Sequence, residues 1–381
     1  MIPATYLIEA LQLPSTIDAP DAAEFLEFGR LCDALTLETW GSLDRATTAG
    51  ARLRYWQDNA YTRMRIFFVR VDGKMVGKSW IRFEEQENLG RALLHVAVLK
   101  AYTGRGIGRA LLEHAQSLAA ADGRTVLMSF TEHPADFTAD GAGVMTPLTG
   151  TGALPTAARG VRFAAAAGYR LEQVERFSSL DVAAAAPGLD RLERDARTKA
   201  AGYELLCWID RCPEEYVAQL AVLMSRMSTD APTGGLSYDE ETWDVARVRH
   251  VQDTWKQAGN VSLVAAARHR QSGELAAYSV LELAPGKPWL AEQDDTLVAA
   301  NHRGHRLGML VKIANLRRLA GYRDVRRVTT FNAAENDHML AINVALGFRP
   351  AGWDGEWQRS VAASEAAGST AEAAGIAPAS G

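Results

Sequence analysis

A glycine-rich turn occurs twice in this chain, 200 residues apart, and it constrains the fold more than any other feature. Residues 95–109 read His-Val-Ala-Val-Leu-Lys-Ala-Tyr-Thr-Gly-Arg-Gly-Ile-Gly-Arg. Residues 295–309 read Asp-Thr-Leu-Val-Ala-Ala-Asn-His-Arg-Gly-His-Arg-Leu-Gly-Met. Aligned without a gap, Val98 meets Val298, Gly104 meets Gly304, Ile107 meets Leu307 and Gly108 meets Gly308. Each turn follows an apolar, strand-like run and opens a helix-like run. Free backbone N–H groups at such a helix start favour phosphate. The chain therefore reads as two copies of one anion-binding domain.

The bulk composition fits this reading. A length of 381 residues suits two domains. With 48% hydrophobic and 23% charged residues, the chain is an ordinary globular one. A net charge of −5 gives no reason to expect nucleic acid or an anionic membrane as partner. No run approaches the ~18 apolar residues of a membrane span. The opening Met-Ile-Pro-Ala-Thr-Tyr lacks the basic and apolar regions of a signal peptide. Cys32, Cys207 and Cys212 have no His or Cys companions at metal spacing. They read as reduced thiols in a cytoplasmic protein with no metal site.

Strand and helix patterns repeat in the same order in both halves. The first half reads as a strand at 4–11, helices at 21–39 and within 46–62, a hairpin at 65–83 and a strand at 91–99. A helix then runs from Gly106 to about Ala121, and a strand at 125–131 lies parallel to its predecessor. The second half reads as a strand at 203–210, helices at 213–227 and 238–258, a hairpin at 261–283 and a strand at 290–300. It continues with a helix at 304–320, a strand at 325–331 and a helix at 333–345. Residues 132–156 are rich in Gly, Thr, Pro and Ala and read as a long loop. The expected division is 1–184, a linker at 185–200, a second domain at 201–361 and a disordered tail at 362–381.

This order, with the turns Thr103-Gly-Arg-Gly106-Ile-Gly108 and Arg303-Gly-His-Arg306-Leu-Gly308, resembles the GNAT acyltransferase family twice over about 340 residues. The family pattern is Gln/Arg-x-x-Gly-x-Gly/Ala. The first copy keeps both glycines and has Thr103 in the leading place; the second keeps Arg303 and has Arg306 in place of the middle Gly. Each late helix also ends near a Gly-aromatic pair, Gly168-Tyr169 and Gly347-Phe348. A Walker loop is excluded because no Gly-Lys-Ser/Thr follows, and a hairpin meander before the turn disfavours a dinucleotide fold. The tandem arrangement is similar to that of mycothiol synthase-like and antibiotic-pathway acetyltransferases.

The resemblance implies an α/β fold of two tandem domains in approximate twofold pseudosymmetry. Each domain would have a mixed, mostly antiparallel sheet flanked by helices. It implies acetyl-CoA as cofactor and acetyl transfer to a primary amine of a small molecule, in a monomer or homodimer. Two other functions stay open: a degenerate coenzyme A-binding or regulatory protein, and a protein-lysine acetyltransferase. The implied cofactor residues are Val98, Leu99, Gly104, Arg105, Gly106, Ile107, Gly108 and Arg109 in the first copy. In the second they are Val298, Ala299, Arg303, Gly304, His305, Arg306, Leu307 and Gly308.

Acetyl transfer needs a neutral amine, although an alkylammonium titrates near ~10.4. The family often protonates the leaving thiolate with a Tyr four residues before the late helix's Gly, and here those places hold Ala164 and Asn343. For the base, the second copy offers Asp295 and Glu292, with Glu292 and Asp294 on one strand face and Asp295 on the other. The first copy has His95 at the matching position. Asn332, Asn336, Met339 and Asn343 share one helical face and form a stripe able to line a cofactor groove. Residues 302–327 carry eight Lys/Arg (303, 306, 312, 317, 318, 323, 326 and 327) against Asp324, which suits coenzyme A phosphates. These features place catalysis in the second half.

Overall fold

The computed structural model describes residues 6–138 and 141–361. The tail expected at 362–381, and the first residues of the strand expected at 4–11, lie outside the described residues. The first half contains β1 (Ile8–Ala10), α1 (Ala23–Trp40), α2 (Ala49–Trp56), β2 (Thr62–Val71), β3 (Lys74–Glu84), β4 (Arg91–Val98), α3 (Ile107–Ala121) and β5 (Val126–Pro134). The two-residue strands β6 (Val144–Met145) and β7 (Leu154–Pro155) follow, then α4 (Arg159–Ala166) and β8 (Arg170–Asp181). After α5 (Val182–Lys199), the second half repeats the order. It contains β9 (Tyr203–Ile209), α6 (Glu214–Ser225), α7 (Met227–Asp230), α8 (Val245–Gln257), β10 (Val261–His269), β11 (Leu275–Leu283) and β12 (Leu290–Val298). It ends with α9 (Leu307–Arg318), β13 (Arg327–Ala333), α10 (Asp337–Leu346) and β14 (Arg349–Ser360). Among the described residues, no helix is long and apolar enough to cross a membrane.

Local chemistry explains the helix limits. Thr48, Asp244 and Asn336 each accept a backbone N–H of the first turn of α2, α8 and α10. Gly41 and Gly347 end α1 and α10 in left-handed conformations that cost glycine little.

All strands but β6 and β7 join one twelve-stranded sheet in the order β1-β2-β3-β4-β5-β14-β8-β13-β12-β11-β10-β9. The order is a palindrome: β1 matches β9, β5 matches β13 and β14 matches β8. A pseudo-twofold axis thus passes between β14 and β8. The halves do not form separate sheets. β14, the last strand of the second half, pairs with β5 from Val126 to Pro134, and β8 of the first half pairs with β13 from Arg327 to Ala333. Each half completes the other's sheet by exchanging a strand.

Other departures from the expected pattern have local causes. The segment expected as a linker at 185–200 lies, but for its last residue, within a helix at 182–199, where Leu189, Leu192 and Ala196 bury against α9 in a shared core. Within the segment read as a long loop, β5 runs on to Pro134, and Leu154 is fully buried. Apolar residues alternate along the sheet to feed both faces. Phe25, Phe28 and Leu31 of α1 pack with Ile66 and Phe68 on one face. Leu112 and Ala115 of α3 pack with Ile81, Phe83 and Leu94 on the other.

Candidate functional site

β4 and β5 are parallel, but they pair only at residues 91–93 and 126–128 before they part. β12 and β13 part in the same way after residues 290–292 and 327–329. Each gap opens toward its glycine turn, so each half has the ground plan of one site. The two gaps are filled differently.

In the first half, Gly104 (φ 74°) and Gly106 (φ 89°) hold left-handed conformations that turn the chain from β4 into α3. A side chain built on either would meet nothing within 4 Å, so backbone conformation is what requires glycine there. Beside this turn lies a cavity of about 740 Å³, lined by residues 103–109, Val96–Val98 of β4, Phe130–Glu132 of β5, and Arg159 and Phe163 of α4. Val98, Gly104, Arg105, Gly106, Ile107, Gly108 and Arg109 thus come together around one groove. Leu99 is buried in the core beside α1.

A second cavity of about 590 Å³ adjoins the first on the α1/α2 face, with walls from α2, β3, β4, β5 and α8. Lys78, His95, Phe130 and Glu132 line both cavities. They mark the junction between a groove beside the turn and a pocket between the halves. His95 stacks between Trp80 (5.6 Å) and Phe130 (4.7 Å), and its Nδ1 has no partner among the described residues. Burial first, and then the Lys78 charge, push its pKa down to about 3, so the imidazole is neutral. Glu132 pairs with Arg45 at 2.7 Å. Arg45 also makes two bonds to Asp354 of the exchanged strand β14 and lies over the rings of Trp40, Phe177 and Phe331. Its position is fixed from both halves. Ala164, at the usual Tyr position, is packed in the core and offers no proton.

In the second half, Gly304 (φ 87°) matches Gly104, and Arg306 takes a left-handed conformation (φ 56°) where the first copy has Gly106. Arg303 is tied to Asp230 at 2.8 Å. His305 lies 5.3 Å from the Tyr203 ring. The gap between β12 and β13 is bridged by Thr330, whose hydroxyl donates to the Gln293 carbonyl at 2.9 Å. Behind it Lys312, 1% exposed, donates to Asn343 Oδ1 at 2.9 Å, and Asn343 donates to Asn332 Oδ1 at 2.6 Å. Asn336 caps α10 by accepting the Met339 N–H.

The stripe of Asn332, Asn336, Met339 and Asn343 is therefore spent largely on internal bonds and not left to line a groove. Ile342 stands 3.2 Å from a Cβ built on Gly308, against 3.6 Å for the nearest atom at Gly108. Leu307 is buried, and Val298 and Ala299 are half-buried at the end of β12. Much of the basic run also has internal partners. Arg317 pairs with Asp190 and Glu193, Arg318 donates to the Val264 and Trp208 carbonyls, and Arg327 pairs with Asp44.

Asp295 accepts a bond from the fully buried Tyr278 hydroxyl at 3.0 Å, and burial raises its pKa. The structure does not bring it together with Glu292. Glu292 and Asp294 line a third cavity, of about 400 Å³, on the opposite side of the strand from the α9 core. The register between β11 and β12 shifts between Ser279 and Leu281, so Asp294 and Asp295 together face Val280. No His/Cys/Asp/Glu set suited to a metal occurs among the described residues.

Glu132, Arg45, Lys78 and Phe130 are functional candidates that the sequence pattern did not single out. Glu132 falls at the start of the segment that reads as a loop, and Arg45 reaches it from 87 positions away.

Residues 63–139 match the acetyltransferase (GNAT) domain family. No curated protein matches the chain in sequence. Among solved structures, a tandem GNAT protein from the clavulanic acid biosynthesis pathway is similar at 26% identity and a TM-score of 0.70, over 93% of this chain and 98% of its own. A GCN5-related N-acetyltransferase from Sphaerobacter thermophilus shares the fold at 13% identity and a TM-score of 0.59, over 94% of this chain and 97% of its own.

Proposed function

We propose that this chain, an N-acetyltransferase of the GNAT superfamily with two tandem GNAT domains, works through its first half and moves an acetyl group from acetyl-CoA to a primary amine of a small molecule. The observation that carries this reading is the junction at Lys78, His95, Phe130 and Glu132, where the groove beside the Gly104–Gly106 turn meets the pocket between the halves. The sequence pattern pointed to the second half. The bridged gap, the buried Lys312–Asn343–Asn332 chain and the Asp295–Tyr278 bond favour the first.

In this reading the N–H groups of the turn and the start of α3 hold the pyrophosphate. The pantetheine arm enters the gap between β4 and β5, and a β4 backbone N–H polarises the thioester carbonyl. The acceptor approaches from the pocket between the halves. Glu132, oriented by Arg45, takes the proton from the acceptor's ammonium, directly or through water. The freed amine attacks the thioester carbon, the C–S bond breaks, and the amide and coenzyme A thiolate separate. A thiol titrates near ~8.5, so the thiolate leaves without an acid at modest cost. His95, neutral and stacked, shapes the junction and offers an acceptor nitrogen.

The test is steady-state turnover against a panel of amines. Glu132→Gln is expected to lower kcat by about 10²–10⁴ with acetyl-CoA affinity unchanged. Asp295→Asn is expected to leave kcat within about twofold. The reverse ranking would move the base to the second half.

A further inference from the structure

The third cavity, of about 400 Å³, lies between β11 and β12 of the second half and the segment 44–55 of the first. Its charge is unusual. Glu282 and Glu292 are direct cross-strand partners, and Asp294 follows on the same wall. Like charges placed directly opposite on adjacent strands destabilise a sheet. Arg45 and Lys287 also line the cavity and act on Glu292, so they relieve part of this charge, but Asp44, Glu282, Glu292 and Asp294 outnumber them. Lys287 donates to the Asp44 carbonyl, Arg45 is held by Glu132 and Asp354, and Arg327 is held by Asp44.

Two further observations point to what fits. Asn260 lines the cavity at 8% exposure and donates to Tyr55 and Glu282, while its Oδ1 has no partner among the described residues. That carbonyl is an unused acceptor beside Glu282. Tyr55 and Trp255 also line the cavity, and aromatic faces attract ammonium groups. The volume suits a small organic molecule. The carboxylates do not form a metal-ligand set among the described residues. Carboxylates, an unpaired carbonyl and aromatic rings around one cavity are complementary to an organic cation.

We infer that this cavity, bounded by Glu282, Glu292, Asp294, Asn260, Tyr55 and Trp255, binds an organic ammonium at a site separate from the acetyl-transfer junction. It adjoins the first-half pocket, with which it shares Arg45, Thr47, Tyr55 and Trp255 as a wall. The site stands independently of which half performs transfer. The bound cation neutralises the Glu282–Glu292 pair and thereby stabilises the second half.

The test uses the full chain, with spermidine as probe, by calorimetry and thermal melting at about pH 8, above the value of about 7 to which burial pushes Glu282. Wild type is expected to bind spermidine and to gain stability with it. The double variant Glu292→Gln/Asp294→Asn is expected to bind about thirtyfold more weakly or worse. Ala284→Lys, which places a cation at the cavity wall, is expected to have the same effect. Without ligand, Glu292→Gln is expected to raise Tm by about 1–3 °C by relieving the like-charge contact. Acetyl-CoA affinity is expected to stay unchanged in all three variants, which separates failure here from failure of the transfer site. No binding by wild type at millimolar spermidine would overturn the inference. So would equal binding by the double variant, or binding lost in Glu132→Gln and kept in the double variant.

Discussion

The two glycine turns share a preceding strand, a following helix and a pair of left-handed residues, yet the space beside them differs. In the first half the gap between β4 and β5 is a cavity that runs on to Glu132 and His95. In the second, Thr330 bridges the gap and Lys312, Asn343 and Asn332 bond to one another behind it. A turn that can hold phosphate is thus only part of an acyl-CoA site. The gap beside it must also stay open for the rest of the cofactor. The half with the better polar stripe has spent that stripe on a buried lysine.

The largest expected effect concerns how far the halves can be separated. β14 contributes nine register pairs to β5, from Gly352–Pro134 to Ser360–Val126, and Asp354 to Arg45. Residues 1–200 expressed alone are expected to be insoluble or unfolded by circular dichroism, because β5 loses a neighbour and exposes an unpaired edge. Co-expression with residues 201–381 is expected to restore a soluble complex. A stable first half with full acetyl-CoA binding would break the picture of mutual completion.

A second test sharpens the contrast at Lys312. Burial pushes its pKa down to about 7, well below the ~10.4 of an exposed lysine. Between those values the unfolded chain holds a proton that the folded chain does not, so stability rises with pH across this window. Below about pH 7 both states are protonated and the dependence vanishes. Lys312→Met is expected to raise stability by about 2 kcal/mol at neutral pH and to flatten the profile in urea titrations. A loss of stability, with the pH slope intact, would mean that the Asn343 bond compensates fully for burial.

A smaller effect is expected at Arg306. Its left-handed conformation costs a residue with a Cβ about 1 kcal/mol, which glycine avoids. Arg306→Gly recreates the Gly-x-Gly of the first turn and is expected to raise stability by about 0.5–1 kcal/mol. It is not expected to create a second acetyl-CoA site, because the gap beside the turn stays filled. Recovery of binding in the second half would show that the middle residue alone separates the two copies.

Much of the architecture was legible because it is local and doubled. The hairpins, the strand–turn–helix units and the parallel pairing of β4 with β5 follow from periodicity and punctuation that recur 200 residues apart. The exchanged strands were not legible. β8 carries Glu172, Gln173, Glu175 and Arg176, and β14 carries Asp354, Glu356 and Gln358 together with Pro350 and Gly352. Neither reads as an apolar strand, and their partners lie in the opposite half of the chain. The site was legible at the glycine turn and illegible at its junction. Helical spacing places Asn332, Asn336 and Asn343 on one side of the chain whether they line a groove or bond inward. What decides is Lys312, 31 residues before Asn343, and no local pattern announces that pairing.

The comparison rests most directly on the number and place of acetyl-CoA sites, measured by calorimetry on the full chain. One site per chain is expected. Gly106→Val forces a β-branched residue into a left-handed turn and is expected to weaken binding by about 100-fold or more, whereas Gly304→Val leaves it within about threefold. Two sites of similar affinity, or a single site lost with Gly304→Val and kept with Gly106→Val, would contradict the assignment of cofactor and catalysis to the first half.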